Sequence, residues 1–104
     1  MRASPETLAA IRQLRAEKKF VEEGLYPGAP DEDIRLRCEA SVNRFLDEFV
    51  ALLARDASKE QLLSCAKAML DSFAEEDTEE REQTDTYIGE VMRAVGIEDW
   101  TDFI

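Results

Sequence analysis

Ile34, Cys38, Val42, Phe45, Phe49 and Leu52 recur at spacings of three and four. Only an amphipathic helix gathers such a set on one face. Leu46, Val50 and Leu53 widen the stripe, and a stripe that broad needs more than one neighbour to cover it. Asp31 stands ahead of it as an N-cap, with Glu32 and Asp33 in the first turn, where the helix dipole favours acids. A helix of about 25 residues would run about 37 Å. It is the expected spine of the fold.

Three further segments carry the same period with their own punctuation. Ser4-Pro5-Glu6 reads as a cap followed by proline at the first helical position, and Leu8, Ile11, Leu14 and Val21 form the stripe behind it. Arg12, Arg15, Lys18 and Lys19 fall on the wetter side, and Gly24 is the expected helix end. Tyr26-Pro27-Gly28-Ala29-Pro30 is the one heavily punctuated loop. Ser58-Lys59-Glu60-Gln61 has the form of a capping box, leading into Leu62, Cys65, Ala66, Met69 and Phe73, with Leu63 and Leu70 beside them. Only Asp56-Ala57 separates this helix from the spine, so the two must be neighbours.

Asp77 or Thr78 opens the last helix, with Thr84, Ile88, Val91 and Val95 on its stripe and Tyr87 and Met92 alongside. Gly96 should end it, with Ile97 folding back as a hydrophobic clasp. The tail holds Trp100, Phe103 and Ile104. Strand-like alternation is absent from the sequence. The expected fold is all-α: a four-helix bundle with one long central helix and a short docked C-terminal tail, in one domain spanning residues 1–104.

The chain of 104 residues carries a net charge of −11, and residues 71–104 hold twelve acids against Arg81 and Arg93. Such a field repels phosphates and selects basic partners or cations. Nucleic acid is therefore not an expected partner. Nor is a membrane, because no run approaches the roughly 18 apolar residues of a span. With no export segment behind Met1, a cytoplasmic protein is expected, and Cys38 and Cys65 are expected to stay as free, packed thiols.

The chain contains no histidine, which removes the commonest general base and transition-metal ligand. None of the serines sits in a Gly-x-Ser-x-Gly elbow, and there is no glycine-rich phosphate loop. No catalytic residue, metal ligand or cofactor is assigned. The candidate protein-binding residues are the acids Glu75, Glu76, Asp77, Glu79, Glu80 and Glu82, with the aromatics Tyr26 and Trp100. Against them stands the simpler reading of a solvated helix start, with the aromatics packed on the bundle ends.

The run Lys19-Phe20-Val21 into Tyr26-Pro27-Gly28, the long apolar helix, and the stretch from Asp77-Thr78-Glu79-Glu80-Arg81-Glu82 to Gly96-Ile97-Glu98 together resemble a family of small bacterial helical proteins described as a domain of unknown function. The likeness covers nearly the whole chain. It implies an all-helical fold and a bacterial cytosolic origin, and carries no site residues with it.

Three functions are consistent with these residues. The first is a non-enzymatic binding or regulatory module, immunity- or inhibitor-like, whose acidic surface meets a basic protein. The second is a magnesium-dependent helical hydrolase built on Glu79, Glu82 and Asp85 with Asp47 and Glu48, which have ligand-like spacing but fall on polar faces. The third is a structural homo-oligomer, a homodimer covering what one copy of the long stripe leaves bare.

Overall fold

The computed structural model describes residues 1–103, and Ile104 lies outside them. Four helices follow in chain order: α1 (Pro5–Ala16), α2 (Glu32–Ala54), α3 (Lys59–Ser72) and α4 (Thr78–Val95), with a 3-10 turn at Trp100–Asp102. No strand occurs among the described residues; one isolated antiparallel bridge joins Glu23 and Tyr26. No described helix is long and apolar enough to cross a membrane.

Helix α2 is the spine. Asp31 caps it by accepting a hydrogen bond from the Ile34 N–H at 2.9 Å, and Cys38, Val42, Phe45, Leu46, Phe49 and Leu53 are buried along it. It ends where Asp56 takes a left-handed conformation (φ 55°), while the Ala57 N–H reaches back to the Leu52 carbonyl and the Asp56 N–H to Leu53. That is a Schellman closure with aspartate where glycine is usual. The chain reverses at once into α3, so α2 and α3 make the most extensive helix pair. The Ser58–Gln61 capping box is present in both directions. Helix α4 closes the ring against α1 and α3. Its end is a second Schellman closure: Gly96 is left-handed, and the Ile97 N–H bonds to the Met92 carbonyl at 2.8 Å. Ile97 is buried there, as its position after Gly96 implied.

The start of α4 is less well made than its acids suggest. Asp77 is the N-cap residue, but its side chain accepts no capping hydrogen bond. The tail docks across the bundle end. Asp99 pairs with Lys59 at 3.2 Å, the Lys59 ammonium lies 4.8 Å from the Phe103 ring centroid, and Trp100 packs half-buried against the core beside Gly89.

The first helix departs from expectation. It stops at Ala16 rather than at Gly24. Val21, expected on the stripe, is exposed, and Lys19, expected in water, is fully buried. The reason is Phe20. Its backbone turns left-handed (φ 60°) and sends the ring into the core, stacked on Phe73 at 6.0 Å and edge-on to Tyr87 at 5.2 Å and Tyr26 at 6.5 Å. An aromatic ring buried among three others contributes more than two further turns of exposed helix would.

Residues 17–30 then fold as an irregular strap over the bundle. Gly28 (φ 89°) closes it by hugging the strap's own backbone: a Cβ there would lie 3.1 Å from the Glu22 nitrogen. Gly28→Ala should therefore destabilise the fold by about 1–3 kcal/mol. Thermal unfolding checks this: a melting temperature unchanged within about 1 °C, against the several degrees such a loss should produce, would contradict it.

Candidate functional site

The strap has no helix to satisfy its backbone, so side chains from the bundle do it. The Glu39 carboxylate on α2 accepts from the Lys19 N–H at 2.8 Å and from the Arg35 guanidinium at 2.8 Å. Arg35 also donates to the Lys19 carbonyl at 3.1 Å and pairs with Glu32 at 2.7 Å. Tyr87 on α4 accepts from the Phe20 N–H at 2.8 Å. The Lys19 ammonium folds back onto the end of α1, donating to the Arg15 and Glu17 carbonyls at 3.2 and 2.9 Å. Those carbonyls carry the negative end of the helix dipole, where a cation is favoured. Burial nevertheless pulls the Lys19 pKa down.

Burial alone would push the Glu39 carboxyl up. The Lys19 N–H, the Arg35 hydrogen bond and the two cations together outweigh it and hold Glu39 below the usual carboxylate range.

Past Pro30 the acidic run becomes relevant, because two of its members turn inward. Glu76 is half-buried and gripped by Arg37 of α2 through contacts of 2.6 and 2.8 Å from one guanidinium nitrogen and 3.1 Å from another, with the Cys38 thiol at 3.6 Å. The Arg37 hydrogen bond holds Glu76 below its ordinary pKa, while burial beside that carboxylate pushes the Cys38 thiol up to about 12. Glu80 is 3% exposed and accepts from the Tyr26 hydroxyl at 2.8 Å. Burial, then that hydrogen bond, raises the Tyr26 pKa strongly.

Glu76, Glu80 and Tyr26, three of the candidate protein-binding residues, are turned inward as internal ties. They are placed inside because the strap crosses the start of α4 and needs anchors there. Trp100 is half-buried at the tail and is not exposed together with Tyr26. Glu75, Asp77, Glu79 and Glu82 remain exposed.

Tyr26 is the foot of a two-residue hairpin. The Glu23 N–H bonds to the Tyr26 carbonyl at 3.0 Å and the Tyr26 N–H to the Glu23 carbonyl at 2.9 Å. Gly24 has φ 57° and Leu25 is not in the left-handed region, the pattern of a type II′ turn, which wants glycine first. The turn is fastened to α4 twice, by Tyr26 to Glu80 and by the Gln83 amide to Glu23 at 3.2 Å. At its tip Leu25 is 104% exposed and touches nothing.

Between the hairpin and α4 lies a cleft of about 520 Å³, lined by Glu23, Leu25, Pro27, Glu79, Glu82 and Thr86 among others. The structure thus joins the acids of early α4 to the Tyr-Pro-Gly loop, as two separate candidate segments of the sequence. It also adds Leu25 and Glu23, which the sequence reading passed over. The signal was there: glycine followed by an apolar residue, between two residues able to pair.

Asp47 and Glu48 do not join this face. Asp47 pairs with Arg15 at 3.0 Å, and Glu48 lies on the α2–α3 seam. Among the described residues no group of three or more His, Cys, Asp or Glu side chains converges as a metal site would require. Cys38 and Cys65 are free thiols, the latter raised to about 11 by burial and then by Glu48.

Two measurements test these ties. Tyr26→Phe leaves the Glu80 carboxylate buried without its donor and should cost about 1–3 kcal/mol, while adding Glu80→Met removes the orphan and should recover part of the loss. Denaturant unfolding of the four variants gives the coupling, and strict additivity would refute it. For pH, the unfolded chain binds protons to Glu39 and Glu76 before the native state does. Their contribution is present above the ordinary carboxylate pKa and is lost as pH falls through their lower native values. Stability should therefore drop below about pH 5, and Glu39→Gln and Glu76→Gln should each flatten that drop while lowering stability at neutral pH.

Comparison with known proteins gives one relationship. A family model described as Domain of unknown function (DUF4844) matches residues 2–102, nearly the whole chain, in agreement with the resemblance read from its motifs. No curated protein and no solved structure matches it.

Proposed function

We propose that this chain, which belongs to the family Domain of unknown function (DUF4844), is a non-enzymatic protein-binding module that docks a basic partner on the hairpin face. The observation that carries this reading is Leu25. A fully exposed leucine on a rigid two-residue turn, fastened to the bundle by Tyr26 and Glu23, has no role in its own fold. It stands beside a cleft walled by Glu23, Glu79 and Glu82, with Glu22 exposed nearby in the same strap.

An apolar anchor rimmed by carboxylates suits a surface in which an apolar side chain sits among lysines or arginines. The anchor supplies residence time by excluding water; the carboxylates supply steering and reject acidic competitors. A rim of exposed acids predicts strong salt dependence. An immunity- or inhibitor-like role, neutralising a basic protein by covering it, falls within this reading. So does a regulatory adaptor. A cytoplasmic, bacterial setting suits both.

The magnesium-hydrolase reading draws less support. Glu79, Glu82 and Asp85 share one polar face of α4, with no facing carboxylate pair gathered beside them among the described residues.

The test is affinity capture from host extract with three baits: the wild-type chain, Leu25→Ser, and Glu79→Lys combined with Glu82→Lys. The expected outcome is a basic protein retained by wild type at low salt, released at high salt, and reduced about tenfold or more by either variant. Leu25→Ser should melt like wild type, because Leu25 is fully exposed, and the lysine pair should melt only slightly lower, because Glu79 in the first turn of α4 contributes about 0.3–1 kcal/mol against the helix dipole. Equal retention by wild type and both variants would refute the assignment to this face.

A further inference from the structure

A hollow of about 380 Å³ opens between α1 and the last turns of α2. Leu8, Val50 and Leu53 give it an apolar lining, and Arg2, Arg12 and Asp56 stand around it. Arg12 is exposed and has no ion-pair partner among the described residues. Arg2 is almost wholly in water and reaches Asp56 only at 4.0 Å, while Asp56 is taken by the Met1 amino group at 2.8 Å. The hollow is thus an apolar dent edged by two solvated guanidinium groups, in a chain whose net charge is −11.

Its complement is the hairpin tip. Leu25 is a fully exposed apolar knob, and Glu79 and Glu82 line the cleft beside it. Neither acid has an ion-pair partner among the described residues. Knob and dent lie toward opposite ends of a molecule 38 Å long. The hairpin sits where α2 and α4 begin, because Tyr26 is tied to Glu80. The hollow sits toward the end where α2 stops and α1 begins, the end at which the Thr7 hydroxyl donates to the Ala94 carbonyl of α4 at 2.8 Å. No copy can therefore seat its own Leu25 in its own hollow.

We infer that the hollow receives the Leu25 hairpin of a second copy, with Arg2 and Arg12 facing that copy's Glu79 and Glu82. The inference rests on the reading of the hairpin face as a docking surface, and gives that face a second occupant. A knob that fits a dent elsewhere on the same chain makes a head-to-tail contact, which leaves one tip and one hollow unfilled and so extends from copy to copy. It does not require any surface to be its own complement. Copies of so acidic a chain repel one another in most orientations; this orientation sets unpaired acids against unpaired cations. A single hairpin covers well under the roughly 800 Å² per partner of a standard interface, so the association is weak and yields to a tighter partner. Self-docking then holds the tip in reserve, and a foreign basic surface gains it by displacing the neighbouring copy.

Sedimentation velocity on the full chain, from about 10 µM to about 1 mM, tests this. The average mass of wild type should rise with concentration and pass that of a dimer. Leu25→Ser removes the knob and Arg12→Glu reverses the rim, and each alone should weaken self-association about tenfold or more. Both positions are exposed, and the melting temperature of each variant controls for folding. The mixture of the two variants decides the geometry. A Leu25→Ser copy keeps its hollow and an Arg12→Glu copy keeps its tip, so together they should form a one-to-one dimer that grows no further. A monomer at every wild-type concentration, an association untouched by both changes, or a mixture no more associated than its separate components would each overturn the inference. Each of those results leaves capture of a foreign protein on the hairpin face standing. Capture that fails while the mixed dimer forms would remove the foreign partner and keep the second copy.

Discussion

The structure depends on how a stretch without helical hydrogen bonds is allowed to cover a helical core. Within residues 17–30, Lys19, Phe20 and Tyr26 are buried, and their backbone donors and acceptors leave water once Phe20 is inserted. Each unsatisfied group there would cost about 1–3 kcal/mol, a large share of the roughly 5–15 kcal/mol that holds a domain together. The bundle answers with fixed side chains. Glu39 and Arg35 take the two polar groups of the Lys19 backbone, Tyr87 takes the Phe20 N–H, and the Ala29 N–H closes on the Phe20 carbonyl at 3.0 Å. The strap then positions everything distal to it: the aromatic cluster, the Tyr26 foot and the hairpin.

This explains which parts of the fold the sequence announces. Helix α2, the capping box at Ser58 and the clasp at Gly96–Ile97 are local: period, cap and glycine lie within a few residues of one another and act within one helix. The end of α1 is not local. Nothing between Ala16 and Gly24 forbids a helix, and the decision rests with Phe20 finding Phe73 and Tyr87, each more than fifty residues away. The turn after α2 is legible in place, from the capping box behind Asp56-Ala57, but not in form, because Asp56 takes a left-handed conformation that composition gives no reason to expect. Tertiary burial outweighs propensity at the end of α1.

The acidic run divides for the same reason. Its density suggested a uniform face, but Glu76 in the turn before α4 and Glu80 in the first turn of α4 each find a donor: Arg37 for the first, Tyr26 for the second. Their neighbours Glu75, Asp77, Glu79 and Glu82 stay in water. Charge counted along a sequence cannot separate these two groups, because the distinction is made by which residues come to lie opposite them. The same holds for Lys19, grouped by sequence with Lys18 and Arg15 but folded onto the end of its own helix.

Leu25 stands apart from all of this. Every neighbour in its hairpin is tied down, while its own side chain meets only solvent. Mutation at that position is thus nearly invisible to folding, so evolutionary drift there is filtered by whatever the tip touches outside the molecule and by little else. A lineage could exchange that residue in one step and acquire a different binding preference, with the scaffold beneath it unchanged.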